Sequence, residues 1–191
     1  PSMARTDADL GTLLRHHFDG AIDMSSPLTR RECFERYSWH KDLFGDGEAV
    51  FFRIAMRWKL DFDPVHTVVL RDHGANMGKA VQRNHDMMME ILDRLRAHPD
   101  FPSACEADLN AFRARACVNN AWATLRVGGP GGWARAQLGR AMSDHPSEVL
   151  RPRTLAAMAL AALPTKARAA INRFGNRLTK RPENRTFVET Y

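Results

Sequence analysis

Beyond "GANMG" at residues 74–78 the sequence reads as one helix after another to its end, which leaves little chain from which to build a sheet. Val81, Met88, Leu92 and Leu95 recur at helical spacing, and Leu109, Phe112, Ala116 and Ala123 do so in a second segment. Trp133 to Met142 gives a third. "TLAAMALAAL" and "KARAAINRFGNRLTK" give two more, each started near a proline, Pro152 and Pro164. Met87 to Met89 with Ile91 and Leu92 form an apolar stripe of the kind that fills a core. The breaks are "HPDFPS" and "VGGPGG". "GGPGG" is read as a hinge, because no strand precedes it and no Lys-Ser/Thr pair follows, as a phosphate-cradling loop requires.

The first part of the chain is more mixed. "LGTLLRHHF" suits a helix ending near Gly20, and "AIDMSSPLT" suits an edge strand or an extended segment. In "TRRECFERY", Thr29 is expected to cap a helix with Glu32 completing a capping box, turning Phe34 and Tyr37 inward. Phe51, Ile54, Ala55 and Trp58 share one helical face, with Arg53 and Arg57 falling off it and Asp46 as N-cap. A strand is expected from Val65 to Leu70, ahead of the "GANMG" turn. The expected fold class is α+β, predominantly α: a small incomplete sheet with about seven helices, residues 1–100 as one part and 101–191 as a helical region with a basic tail.

Charge is unevenly placed. Of a net +6, residues 151–191 carry 9 Lys/Arg against 2 Asp/Glu, so the basic surplus sits at that end. Such asymmetry suits a surface that meets something anionic, or a solvated Arg-rich face. No apolar run approaches the roughly 18 residues of a membrane span, and "PSMARTDADL" has no signal-peptide core, so a cytoplasmic protein is expected, peripheral to the inner membrane at most. Cys33, Cys105 and Cys117 are odd in number and lack CxxC spacing, which points to reduced, buried thiols.

Several groups have chemistry by type. Asp46 and Glu48 stand at a helix mouth, where a carboxylate is favoured by the helix dipole and can take a proton from a hydroxyl, although capping and solvation account for both as well. Arg71, Asp72, His73, Asn76 and Lys79 cluster after a strand, where α/β proteins keep their sites, but such a turn is often only a hydrogen-bonded loop. His16, His17, Asp19 and Asp23 have ligand types without ligand spacing. "DAD" at Asp7 to Asp9 lacks the strand that would present a metal-diphosphate element. No nucleophile elbow, Walker sequence or GxGxxG is present.

Taken in order, "SSPLTRRECFERY", "DGEAVFFRIA" and "LRDHGAN" resemble the second half of a family-2 glycosyltransferase of the GT-A fold, over roughly residues 14–95. The resemblance implies inverting transfer of a sugar from a nucleotide-sugar donor to a glycan or lipid acceptor hydroxyl. It implies Asp46 or Glu48 as general base, with Gly47 standing where the family keeps its usual Asp. It further implies Arg31, Arg71, His73 and Asn76 as substrate-binding residues, and His73 as a contact to a divalent metal, Mn or Mg, or to the diphosphate. The family's donor half, with its parallel strands and DxD, is not within these residues, so the acceptor-side part plus a helical extension is expected. The competing reading is a non-enzymatic helical module, residues 104–191, that docks on a partner or, through residues 151–191, on an anionic membrane surface. Nucleic-acid binding is not expected, and a homo-oligomer is open.

Overall fold

The structure, a computed structural model, describes residues 7–19, 28–43, 46–61 and 80–178. Eight α-helices run through them: α1 Leu10–His16, α2 Arg31–Arg36, α3 Asp46–Ala55, α4 Val81–Arg96, α5 Glu106–Arg126, α6 Gly131–Asp144, α7 Pro152–Ala162 and α8 Thr165–Leu178. The chain divides into two units, the first taking residues up to 71 and 87–112, the second 72–86 and 113–191.

In the first unit, Asp9 starts α1: its Oδ1 accepts from the Thr12 N–H and the Thr12 hydroxyl, each at 2.8 Å. These bonds to the charged form hold the Asp9 carboxyl below its ordinary range. The last Asp of "DAD" is therefore a helix cap. Leu10, Leu13 and Leu14 of α1 pack with Phe52 of α3, Leu92 and Leu95 of α4, and Leu109 and Phe112 of α5. A second cluster joins Cys33 and Tyr37 at α2 to Val50, Phe51 and Ile54 of α3. Residues 49–55 of α3 are all buried, as expected of a helix apolar on nearly every side.

Three expectations need correction here. Helix α2 begins at Arg31 with Arg30 as N-cap and no side-chain cap bond. Thr29 thus lies one residue outside the cap and Glu32 at the second helical position rather than the third, so the Thr29/Glu32 capping box does not form. Glu32 instead lies 3.6 Å from Arg30 Nη1. Arg53 does not fall off the buried face; it is enclosed with the rest of α3. The small sheet is not seen: among the described residues there is no strand, only an isolated antiparallel bridge in which Ala8 and Leu60 exchange two backbone hydrogen bonds of 2.8 Å. The expected strand at Val65–Leu70 and residues 21–27 of the extended segment lie outside the described residues.

In the second unit "VGGPGG" is a helix stop followed by a helix start. Gly128 takes φ 83°, Gly129 N–H reaches the Thr124 carbonyl at 2.9 Å and Gly128 N–H the Leu125 carbonyl at 3.4 Å, the Schellman closure of α5. Pro130 then serves as N-cap of α6. Gly131 is small because Arg168 crosses it: a Cβ there would stand 2.7 Å from Arg168 Nη1. Pro152 occupies the first position of α7, where its missing N–H costs nothing. Cys33 and Cys117 are buried, Cys105 is half-buried, and all three are free thiols. Burial pushes each thiol up, Cys117 to about 11. No described helix is long and apolar enough to cross a membrane.

Candidate active site

Asp46 is the first residue of α3, Glu48 follows within the first turn, and the structure describes the backbone of both. One turn on, Ala49 and Arg53 stand four residues apart on one side of α3 and line a cavity of about 280 Å³ in the first unit. His40 and Leu43 come to it from the segment before α3, and Ile91, Arg94 and His98 from α4 and the turn after it. The ionisable groups of the lining are His40, Arg53, Arg94 and His98, all bases, with no carboxylate among them.

Arg53, Arg94 and His98 are each held in place by neighbouring groups. Arg53 is 6% exposed, and its Nη2 donates to the Ser38 carbonyl at 3.0 Å, which ties α3 to the segment after α2. Arg94 Nη2 bonds Asp42 at 2.7 Å and Glu90 at 2.6 Å, and these partners raise its pKa further above its already high range. Two carboxylates thus stand against its single positive charge. His98 accepts the Asp100 N–H at Nδ1, 3.0 Å away, and the Tyr37 ring meets it edge-on at 5.5 Å. Asp100 in turn accepts from the Tyr37 hydroxyl at 2.6 Å and from Arg36 Nη2 at 2.9 Å, and these two bonds hold its carboxyl down to about 2. Burial first, and Asp100 second, push the Tyr37 phenol up to about 12. The imidazole beside the cavity is thus oriented by a network reaching back into α2.

Sequence reasoning did not find His40, Arg53, Arg94 or His98. The one available signal was an Arg four residues after Ala49 inside an otherwise apolar helix. Arg31 is exposed at the first position of α2 and does not line the cavity. Arg71, His73 and Asn76 lie outside the described residues, as do Asp72 and Lys79. Among the described residues no three His, Cys, Asp or Glu side chains are grouped to hold a metal ion, so they provide no donor set for the divalent cation that the resemblance implies.

The second unit holds a buried group that includes a histidine and a cysteine. His85 is fully buried, with Nδ1 3.1 Å from Asn120 Nδ2 and Trp133 edge-on at 5.3 Å, while Cys117 Sγ lies 3.8 Å from Gln137 Oε1. Burial is the largest influence on both ionisable groups and drives them apart, raising the Cys117 thiol and lowering His85. A nucleophilic Cys-His pair needs the reverse, a lowered thiol and a proton-accepting imidazole. The group is core.

Its consequence is for stability. The folded unit holds His85 neutral while the unfolded chain protonates it near pH 6.5, so the unfolded state takes up the proton first. The contribution is complete above that pH and falls away below it. Urea unfolding at pH 7.5 and 5.5 is therefore expected to show lower stability in acid, and His85→Gln, though less stable throughout, is expected to flatten that slope. An undiminished slope in the variant would exclude His85 as its source.

Compared with protein-family models, with curated proteins and with solved structures, the chain matches none.

Proposed function

We propose that this chain supplies the acceptor side of an inverting glycosyltransferase that moves a sugar from a nucleotide-sugar donor to an acceptor hydroxyl. What supports the reading beyond the order of the sequence motifs is one juxtaposition: an acidic first turn on α3 followed directly by Ala49 and Arg53 at a cavity whose ionisable lining is wholly basic. The motifs "TRRECFERY" and "DGEAVFFRIA" also meet in one core cluster, through Cys33 and Tyr37 on one side and Val50, Phe51 and Ile54 on the other.

The chemistry follows from those parts. As the acceptor oxygen attacks the anomeric carbon from the face opposite the leaving group, its proton passes to a carboxylate of the α3 first turn, Asp46 or Glu48. The new C–O bond forms while the bond from the anomeric carbon to the nucleotide phosphate breaks, its electron pair leaving with the diphosphate, and the configuration inverts. Arg53 brings a positive charge and His98, with Nδ1 accepting from Asp100, keeps only its other ring nitrogen as a donor; both suit an anionic substrate in a partly enclosed space. In the full-length enzyme, turnover of the nucleotide sugar is expected to fall about 10²–10⁴-fold for Asp46→Asn or Glu48→Gln, whichever removes the base. Turnover unchanged in both variants would exclude this assignment.

A further inference from the structure

Helix α8 is built with its polarity reversed. A helix on a globular protein normally buries its apolar stripe and shows polar residues to water. Here the inward residues are Arg168, 3% exposed, and Asn172, 6% exposed, four apart on one side. Asn172 Nδ2 donates to the Leu125 carbonyl at 2.8 Å, and Arg168 Nη2 donates to the Gly129 carbonyl at 3.1 Å. Arg126 Nη1 donates back to Asn172 Oδ1 at 3.4 Å. These donors serve the Leu125 carbonyl in the last turn of α5, beside the Gly128 N–H, and the Gly129 carbonyl in the turn that follows. The inner face of α8 is therefore fixed by polar bonds.

What remains for the outer face is apolar. Ala167, Ala170, Ile171 and Phe174 are all exposed, with Ile171 at 46% and Phe174 at 65%. Their spacing of three and four residues makes one stripe, and exposed Lys166 and Arg173 border one edge of it. Leu150 at 79% and Leu155 at 51% add further exposed apolar surface beside Arg151 and Arg153. From residue 149 to 182 the sequence has no Asp or Glu, while Arg151, Arg153, Lys166, Arg168, Arg173, Arg177, Lys180 and Arg181 are all cations.

We propose that this face docks on an anionic lipid surface. An apolar stripe bordered on one edge by cations complements a bilayer interface on both counts, since apolar side chains enter the boundary of the acyl region while Lys and Arg meet the headgroups. A bilayer meets a convex helix face without a shaped pocket, whereas an acidic protein would need one. The polar anchor explains why α8 stays folded with its apolar side outward, ready before any lipid is present.

The test is sedimentation of the full chain with phosphatidylcholine vesicles containing about one-third phosphatidylserine, against vesicles of phosphatidylcholine alone. The chain is expected to pellet with the first and not the second, and to be released by raised salt. Ile171→Ser with Phe174→Ser is expected to weaken partitioning about tenfold, and Lys166→Glu with Arg173→Glu at least about tenfold. All four side chains are exposed, so the helical circular dichroism should be unchanged. Equal binding to both vesicle types, binding to neither, or variants that bind like the parent would each overturn the proposal, as would capture of an acidic protein by this face with no vesicle binding. Vesicle binding requires no nucleotide sugar, so its outcome is independent of glycosyl transfer.

Discussion

Replacing Phe112 by Ala is expected to remove about 3–5 kcal/mol of unfolding free energy from the first unit. The side chain is fully buried, with ring centroids 4.8 Å from Phe18, 5.3 Å from His17 and 5.6 Å from Phe52. Four helices, α1, α3, α4 and α5, contribute to that cluster, and rigid helices on several sides cannot close on the space a missing ring leaves. The loss therefore combines transfer of an aromatic ring with a residual cavity. Urea unfolding of Phe112→Ala measures it, with Phe174→Ala, on the exposed face of α8, as a control expected within about 0.5 kcal/mol of the parent. A loss below about 1 kcal/mol for Phe112→Ala would mean that this cluster is not the core of the unit.

Cutting the anchor of α8 gives the second large effect. Asn172→Ala leaves the Leu125 carbonyl without its side-chain donor in a buried setting, at an expected cost of about 1–3 kcal/mol. Arg168→Met removes the donor to Gly129 and leaves an uncharged chain of similar length across Gly131. Both bonds serve the same end of α5, so the double variant should cost less than the sum of the single ones. Native-state hydrogen exchange is the direct readout. The amides of α8 are expected to lose protection in either variant while those of α1 and α3 keep theirs. Unchanged protection of α8 in both would show that apolar packing, and not these polar bonds, holds the helix.

The contrast between α5 and α8 shows what could be read from the sequence. Leu109, Phe112 and Ala116 announced α5 by their spacing, and all three are buried. Pro152 and Pro164 marked the starts of α7 and α8, because proline fits where a helix has no use for an N–H. The existence of α8 was legible, but which side faces in was not. That choice depends on carbonyls 39 and 47 residues earlier, and no local period encodes a distant acceptor. Arg53 was misplaced for a related reason: periodicity assigns an Arg to solvent, whereas the Ser38 carbonyl offered it a buried partner. The acidic start of α3 was legible from "GDGEAVFF", while the basic cavity beside it was not, since His40, Arg94 and His98 come from segments on either side of α3.

The lone bridge between Ala8 and Leu60 has a kinetic consequence. Its two amide-carbonyl exchanges close a loop of about fifty residues, and the closure entropy of such a loop exceeds what two hydrogen bonds return unless α1 and α3 are already in contact. The bridge should therefore be among the last native features to appear during refolding and the first to be lost on unfolding. A slow-forming clasp of this kind would raise the unfolding rate when weakened and leave the speed of collapse unaltered.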